Sequence, residues 1–482
     1  MNKISINFLF TASLSFCAFS IPLVSQAENL MDVYSLAVSS DPTLQSAYAS
    51  RMATREAFPA ALAGFLPALA GNGQYNVSDS DYKAQFGSFG IIPLPQQTID
   101  RNMQVNATVS QTIFDLSRWH NLKQAKQTVS YADAAYMASE QDLIIRTASA
   151  YFNLLAAQDN LEFIQAEKKA VGRQLDQTQQ KFNVGLVAVT DVKDLTAQFD
   201  AKLAEEISAQ NTVENNRQQL KILTGQFIEH IDGLKQLPLD SPEPFNDDEW
   251  VSMAEQYNPT LQAAKYQSDA LRSAVSVAKD QYLPTLEYNA GYGQIRGGSP
   301  GTPIGDWEKQ WNSSVIGSIN IFSGGAIASN VRKAQYEHQA SMQDFEQVKR
   351  NTETNTRNAF RNVIASIGQV NAFARAVESA NASLESTTAG YDVGTRTSVD
   401  LLAVISNLYQ QESNLATARY NYILAILQLK QAAGTLNSED VFQVNGWLAS
   451  GESQAQKIIE SLPGASGTQA DKNIQKYQEL PK

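Results

Sequence analysis

Few of the residues that usually carry chemistry are placed to do any. The three histidines, His120, His230 and His338, are scattered and form no His-x-x-x-His pair. No Gly-x-x-x-x-Gly-Lys loop occurs, which removes a common signature of phosphate binding. Gly291-x-Gly293 lies inside a two-residue alternation and fits close backbone packing better than a phosphate cradle. Cys17, the single cysteine, sits in the first, apolar segment. The expectation is therefore no catalytic residue, no metal site and no cofactor. Asp191 and its repeat copy Asp400 stand just inside expected helix starts, beside Val184-Gly185 and Val393-Gly394. An aspartate just inside a helix start is a cap first, and Arg396 alone would be a solvated charge.

Composition narrows the setting. The 482 residues are 43% hydrophobic and 18% charged with a formal net charge of −12, which permits a large core and excludes a broad basic surface for nucleic acid. Met1-Asn2-Lys3 is a short basic start, Ile4 to Val24 is apolar, and Ser25-Gln26-Ala27 has the small residues a signal peptidase accepts. Residues 1–27 read as a removed signal peptide. A lipobox at Leu14-Ser15-Phe16-Cys17 competes, but bulky Phe16 argues against it. No later stretch reaches about 18 uninterrupted apolar residues, so no transmembrane helix is expected. A β-barrel remains open.

The chain repeats itself. Asp41-Pro42-Thr43-Leu44-Gln45 returns as Asn258-Pro259-Thr260-Leu261-Gln262, and Phe65-Leu66-Pro67 as Tyr282-Leu283-Pro284, both 217 positions later. Asn183-Val184-Gly185 returns as Asp392-Val393-Gly394, Asp191 as Asp400, and Gln219-Leu220-Lys221 as Gln428-Leu429-Lys430, all at 209. Collinear anchors at nearly constant spacing mark a tandem duplication. We divide the chain into a first repeat over 28–236, a connector over 237–248, a second repeat over 249–436, and a C-terminal segment over 437–482 that ends in a loose tail.

Each copy predicts helix, strand, strand, long helix, turn and helix. Strands are expected over about 66–114 and 283–322, because Met103, Val105, Ala107, Val109 and Ile113 alternate with Asn102, Gln104, Asn106, Thr108 and Thr112. Tyr75, Phe114, Trp119, Tyr288, Trp307, Trp311 and Phe322 would suit aromatic girdles at a membrane interface. Asp115 and Ser323 look like caps of long helices over 115–182 and 323–391, each about 100 Å long. Helices over 187–225 and 397–434 return. Four strands cannot close a barrel, and open edges cannot lie in lipid, so several chains must share one.

Particular runs then matter. Ala27-Glu28-Asn29-Leu30-Met31, Arg173 to Thr178, Lys181 to Val192, and Gly390-Tyr391 with Val393-Gly394-Thr395-Arg396-Thr397 resemble the TolC-type outer-membrane efflux proteins over nearly the whole chain, to about residue 445. The resemblance implies an α+β membrane protein, mainly α. A homotrimer would form a twelve-stranded outer-membrane β-barrel, four strands per chain, continued by a long periplasmic α-helical barrel. It also implies a passive exit duct for tripartite efflux and type I secretion. An inner-membrane RND, ABC or MFS pump would feed it through a periplasmic adaptor (membrane fusion) protein. Drugs, detergents, siderophores or secreted proteins would pass, and the surroundings would be outer-membrane lipid.

Matching residues carry over two sets. Thr190, Asp191, Tyr391 and Arg396 would latch the closed tip, and Asp400 would ring the pore constriction. The family's second ring aspartate is Ala403 here, so the ring would hold fewer carboxylates. Val184, Gly185, Leu186, Val393, Gly394 and Thr395 would contact the adaptor. A fibrous coiled coil without channel activity is the rival, and it leaves the amphipathic strands unexplained.

Overall fold

The computed structural model describes residues 28–81, 97–235, 237–298 and 305–448. The leader, the loop before Gln97 and the tail from residue 449 lie outside the described residues.

The first pair of duplicated anchors marks helix starts. Helix α1 covers Leu30–Ser40, α2 Pro42–Arg55 and α3 Ala57–Ala63. In the second copy, α6 covers Asp247–Tyr257 and α7 Pro259–Asp280. Asp41 accepts from the amide of Leu44 at 2.9 Å, and Asn258 accepts from that of Leu261 at 3.0 Å. A proline follows each cap at the first helical position, where its missing N–H costs nothing. After Pro67 and Pro284 the chain turns into strands: β1 Ala68–Asp81, β2 Gln97–Phe114, β3 Thr285–Gly298 and β4 Glu308–Ser318. The four form one antiparallel sheet in sequence order, the β2–β3 pairing joining the two repeats.

Two differences from the sequence reading stand out. The second long helix is capped not by Ser323 but by Gly325, because Gly324 and Gly325 both take left-handed backbone (φ +62° and +85°) before it starts. The last strand stops at Ser318, leaving Ile319 and Ile321 beyond it and exposed.

Sheet register separates two kinds of surface. Gly71, Ala107, Tyr292 and Trp311 lie side by side across all four strands, as do Leu69, Val109, Ala290 and Ser313. On the other face Asn72, Asn106, Gly293 and Gln310 form the next row. The apolar members Met103, Val105 and Ala107 are exposed, whereas polar Gln104, Asn106 and Thr108 are half-buried. A soluble sheet does the reverse, since burying its apolar face is what holds it together. Gly291 and Gly293 fit close packing here: a Cβ would lie 2.4 Å from Asn312 Oδ1 and 2.8 Å from Asn106 Cβ respectively.

Below the sheet run α4 (Leu116–Asn183), α5 (Val189–Thr224), α8 (Ala326–Asp392) and α9 (Ser398–Ala433). Asp115 caps α4 through the Ser117 amide at 2.9 Å. The main core sits midway down as a belt. There Leu143, Tyr151, Phe152 and Leu154 of α4 meet Leu220 of α5, Tyr422, Ile423 and Leu427 of α9, and Leu30 and Met31 of α1. Helix α10 (Ser438–Asn445) adds Val441 and Val444. Each large apolar side chain buried there contributes about 1.5–3 kcal/mol. Polar bonds finish the belt: Arg146 binds Asp41 at 2.8 and 3.2 Å, and Tyr151 donates to the Asp232 carbonyl at 2.8 Å. Gln141 donates to the carbonyls of Gly434 and Leu436 at 3.2 and 3.0 Å, satisfying acceptors that the end of α9 leaves open.

Candidate functional site

The two Val-Gly turns lie side by side at the helix ends farthest from the sheet, because α4 and α8 both leave the sheet and run 68 and 67 residues, about 100 Å. Their backbones are copies. Gly185 and Gly394 share φ +78°, a conformation that costs other residues about 1–2 kcal/mol. Leu186 N donates to Lys181 O at 2.9 Å, and Thr395 N to Gly390 O at 2.8 Å. Val184, Leu186 and Val393 at the tips are 70%, 74% and 76% exposed.

Side chains differ between the copies, and the differences define the site. Thr397 caps α9 and forms a reciprocal box with Asp400: Thr397 N donates to Asp400 Oδ2 at 2.9 Å, and Asp400 N to Thr397 Oγ1 at 3.2 Å. The backbone N–H of Thr397, then its hydroxyl, then the Arg396 charge hold the Asp400 carboxyl below the usual range. Asp191 occupies the matching place in α5, but the cap there is Ala188, which has no hydroxyl to offer. Among the described residues Asp191 makes no side-chain hydrogen bond or ion pair, and Thr190 beside it is exposed. So one aspartate is committed to its helix and the other is available.

Tyr391 faces the first repeat. Gln174 Nε2 donates to its hydroxyl at 2.7 Å and Lys181 Nζ at 3.1 Å, with Lys181 also 4.4 Å from the ring centroid. Arg396 lies against Gly390, where an added Cβ would come within 2.8 Å of Arg396 Cγ. The expected set thus divides. Arg396 and Asp400 are brought together, while Tyr391 is held by Gln174 and Lys181, neither of which the sequence reading singled out. The 209-residue offset sets Lys181 opposite Gly390 and Phe182 opposite Tyr391, which marks where the copies differ but not that Lys181 and Tyr391 meet.

Above the turns the core thins to Val171, Leu195 and Leu402. Polar ties take over: Lys202 meets Glu167 at 3.1 Å, Ser406 donates to Glu167, and Lys168 pairs with Glu206. They link α4 to α5 and α9. None of these groups is arranged around a reacting atom.

A sheet with its apolar side outward, carried on long helices that end in two exposed turns, is the build of a membrane-channel subunit. The chain belongs to the outer membrane efflux protein family, matching it over residues 33–226 and again over 250–435. It is 38% identical to the outer membrane protein TolC of Vibrio cholerae over 426 residues, 88% of this chain and 94% of that one. It is 26% identical to the alkaline protease secretion protein AprF of Pseudomonas aeruginosa over 440 residues, 89% of each. The fold matches the solved CmeC outer membrane channel of Campylobacter jejuni with a TM-score of 0.73 at 16% identity, over 97% of this chain and 99% of that. This is a TolC-type channel protein of the outer membrane with a long periplasmic helical part, and not an enzyme.

Proposed function

We propose that three copies of this chain form one exit duct, through which an inner-membrane pump, joined by a periplasmic adaptor, drives efflux and type I secretion. The observation that carries the reading is the sheet: among the described residues, four strands, two outer edges without a pairing strand, and an apolar outward face. Such edges need neighbours in lipid, and three sets of four strands make a closed twelve-stranded barrel. The half-buried polar row of Gln104, Asn106 and Thr108 then faces a wet lumen. Drugs, detergent-like molecules or secreted proteins pass without chemistry.

The tip is the gate. Asp191, with Thr190, binds Arg396 of an adjacent chain, and Tyr391 adds a hydroxyl, so that breaking these links lets the helices splay. The uncommitted carboxylate of Asp191 supports this role. Asp400 rings the constriction with the carboxylate edge its cap leaves free. With Ala403 one turn on, three carboxylates line the pore, and block by trivalent cations is weak. The exposed Val184-Gly185-Leu186 and Val393-Gly394-Thr395 turns receive the adaptor.

Planar-bilayer recording of the purified protein tests the whole reading. The wild type conducts in small openings, and Asp191→Ala with Arg396→Ser conducts in larger ones. No conductance at all overturns the duct, and identical traces overturn the latch. Asp400→Ala reduces sensitivity to a trivalent cation; equal sensitivity removes the ring.

A further inference from the structure

The two turns share a backbone but not a surface, and they diverge at adjacent positions. Where the first copy has Lys181-Phe182, the second has Gly390-Tyr391. The two novelties, an ammonium in one copy and a phenol in the other, meet: Lys181 Nζ is 3.1 Å from Tyr391 Oη and 4.4 Å from its ring centroid. Gln174 Nε2, buried on the same helix as Lys181, completes the contact at 2.7 Å.

A phenol oxygen offers one donor and two acceptor positions. Lys181 and Gln174 are both donors only toward it, so both acceptor positions are filled from within the chain. Tyr391 is left able to do one thing, which is to donate its proton. The acceptor that suits a phenol beside a cation is a carboxylate, because an adjacent ammonium makes the O–H a stronger donor. Asp191 is a tip aspartate whose oxygens no group among the described residues of this chain uses.

The division between the copies is enforced by packing. A side chain at Gly390 would put its Cβ 2.8 Å from Arg396 Cγ and 3.2 Å from Thr395 Oγ1. The second copy therefore cannot carry its own lysine while Arg396 lies where it does. Lys181 and Arg396 thus stand in different copies and serve different partners across the tip.

We propose that Lys181, with Gln174 behind it, is a positioning residue of the gate: it holds Tyr391 as an acceptor and thereby aims the phenol proton at the latch carboxylate. This rests on the reading of the tip as a gate. A cation in the last turn of α4 also suits the helix dipole, whatever Tyr391 does, so the test must separate the two roles.

Single-channel recording on the full-length trimer in planar bilayers does so, with Lys181→Gln, Lys181→Arg, Tyr391→Leu and the Lys181→Gln, Tyr391→Leu pair. Lys181→Gln raises open probability, on the order of threefold to tenfold for one charge-assisted contact. Lys181→Arg keeps it near the wild type. On the Tyr391→Leu background Lys181→Gln adds nothing further, since its target is gone. An equal increment on both backgrounds means a helix-end charge only and overturns the proposal, as does a silent Lys181→Gln. Recording the Asp191→Ala, Arg396→Ser variant alongside keeps the readings apart. If that variant opens and Lys181→Gln does not, the gate stands and Lys181 has no part in it; if neither opens, the gate itself has failed.

Discussion

The belt and the tip are built on the same helices and held by opposite means. At the belt, α4, α5 and α9 pack Tyr151, Phe152, Leu154, Leu220 and Leu427 into a core that α1 and α10 enclose, and the hydroxyls of Tyr151 and Tyr422 are tied to carbonyls at 2.8 and 2.9 Å. At the tip the apolar contact shrinks to Val171, Leu195 and Leu402, and what holds the turns together is Gln174 and Lys181 on Tyr391 with the capping box of Thr397 and Asp400. A close-packed apolar core has one arrangement and resists every other. A few half-exposed polar bonds, each worth little net, can be exchanged for water or for a partner's groups. The contrast places motion at the end of the helices and permanence at their middle.

Two equivalent truncations separate the belt from the tip most clearly. Leu154→Ala at the belt costs about 2–5 kcal/mol and lowers the melting of the whole particle by calorimetry. Leu402→Ala at the tip leaves that transition nearly in place and speeds amide exchange in the two turns instead. If both lower melting equally, the tip is as much a part of the cooperative core as the belt. Gly394→Val comes next. A branched residue at φ +78° costs about 1–2 kcal/mol locally and raises protease nicking at the turn, without moving the main transition.

A smaller effect follows from Gly390→Ala, which must displace Arg396 by crowding its Cγ. Openings in a bilayer lengthen, and they return to wild type if Arg396 has no part in closure.

The smallest effect is a response to acid of opposite sign in the two regions. Burial raises the carboxyls of Glu28, Asp32, Glu140 and Asp159 around the belt. A raised carboxyl binds its proton more tightly in the folded state, so its contribution improves as pH falls toward about 4. Asp41, bound to Arg146, runs the other way. Asp400 at the tip is lowered by the Thr397 amide, so its cap is present at neutral pH and lost as pH falls through its folded value. Amide exchange compared at pH 7 and at mild acidity, corrected for the intrinsic rate, shows the turns loosening while the belt holds; uniform loosening removes the contrast.

Much of this was legible in the sequence because it was written as periods. The 217 and 209 offsets marked the repeats, the alternation through Met103 to Ile113 marked a strand, and Val-Gly marked each turn. Asp115 announced its cap correctly. Ser323 did not, because the two glycines after it take left-handed backbone and delay the helix. Helix α10 lay in a segment read partly as a loose tail, and only the belt it closes gives Val441 and Val444 a reason to be ordered. The Gln174 and Lys181 contacts to Tyr391 join residues 217 and 210 positions apart, where no local pattern reports a meeting. Asp191 and Asp400 look identical in sequence. Ala188 against Thr397, three residues earlier, makes one free and the other a cap.

The sheet of four described strands is too small to enclose anything alone. The mass of the detergent-solubilised, folded particle, by native mass spectrometry, tests that directly. Three chains, about three times the mass of the single polypeptide in the same particle, is the predicted result. A folded single chain with its apolar strand face in detergent would contradict it.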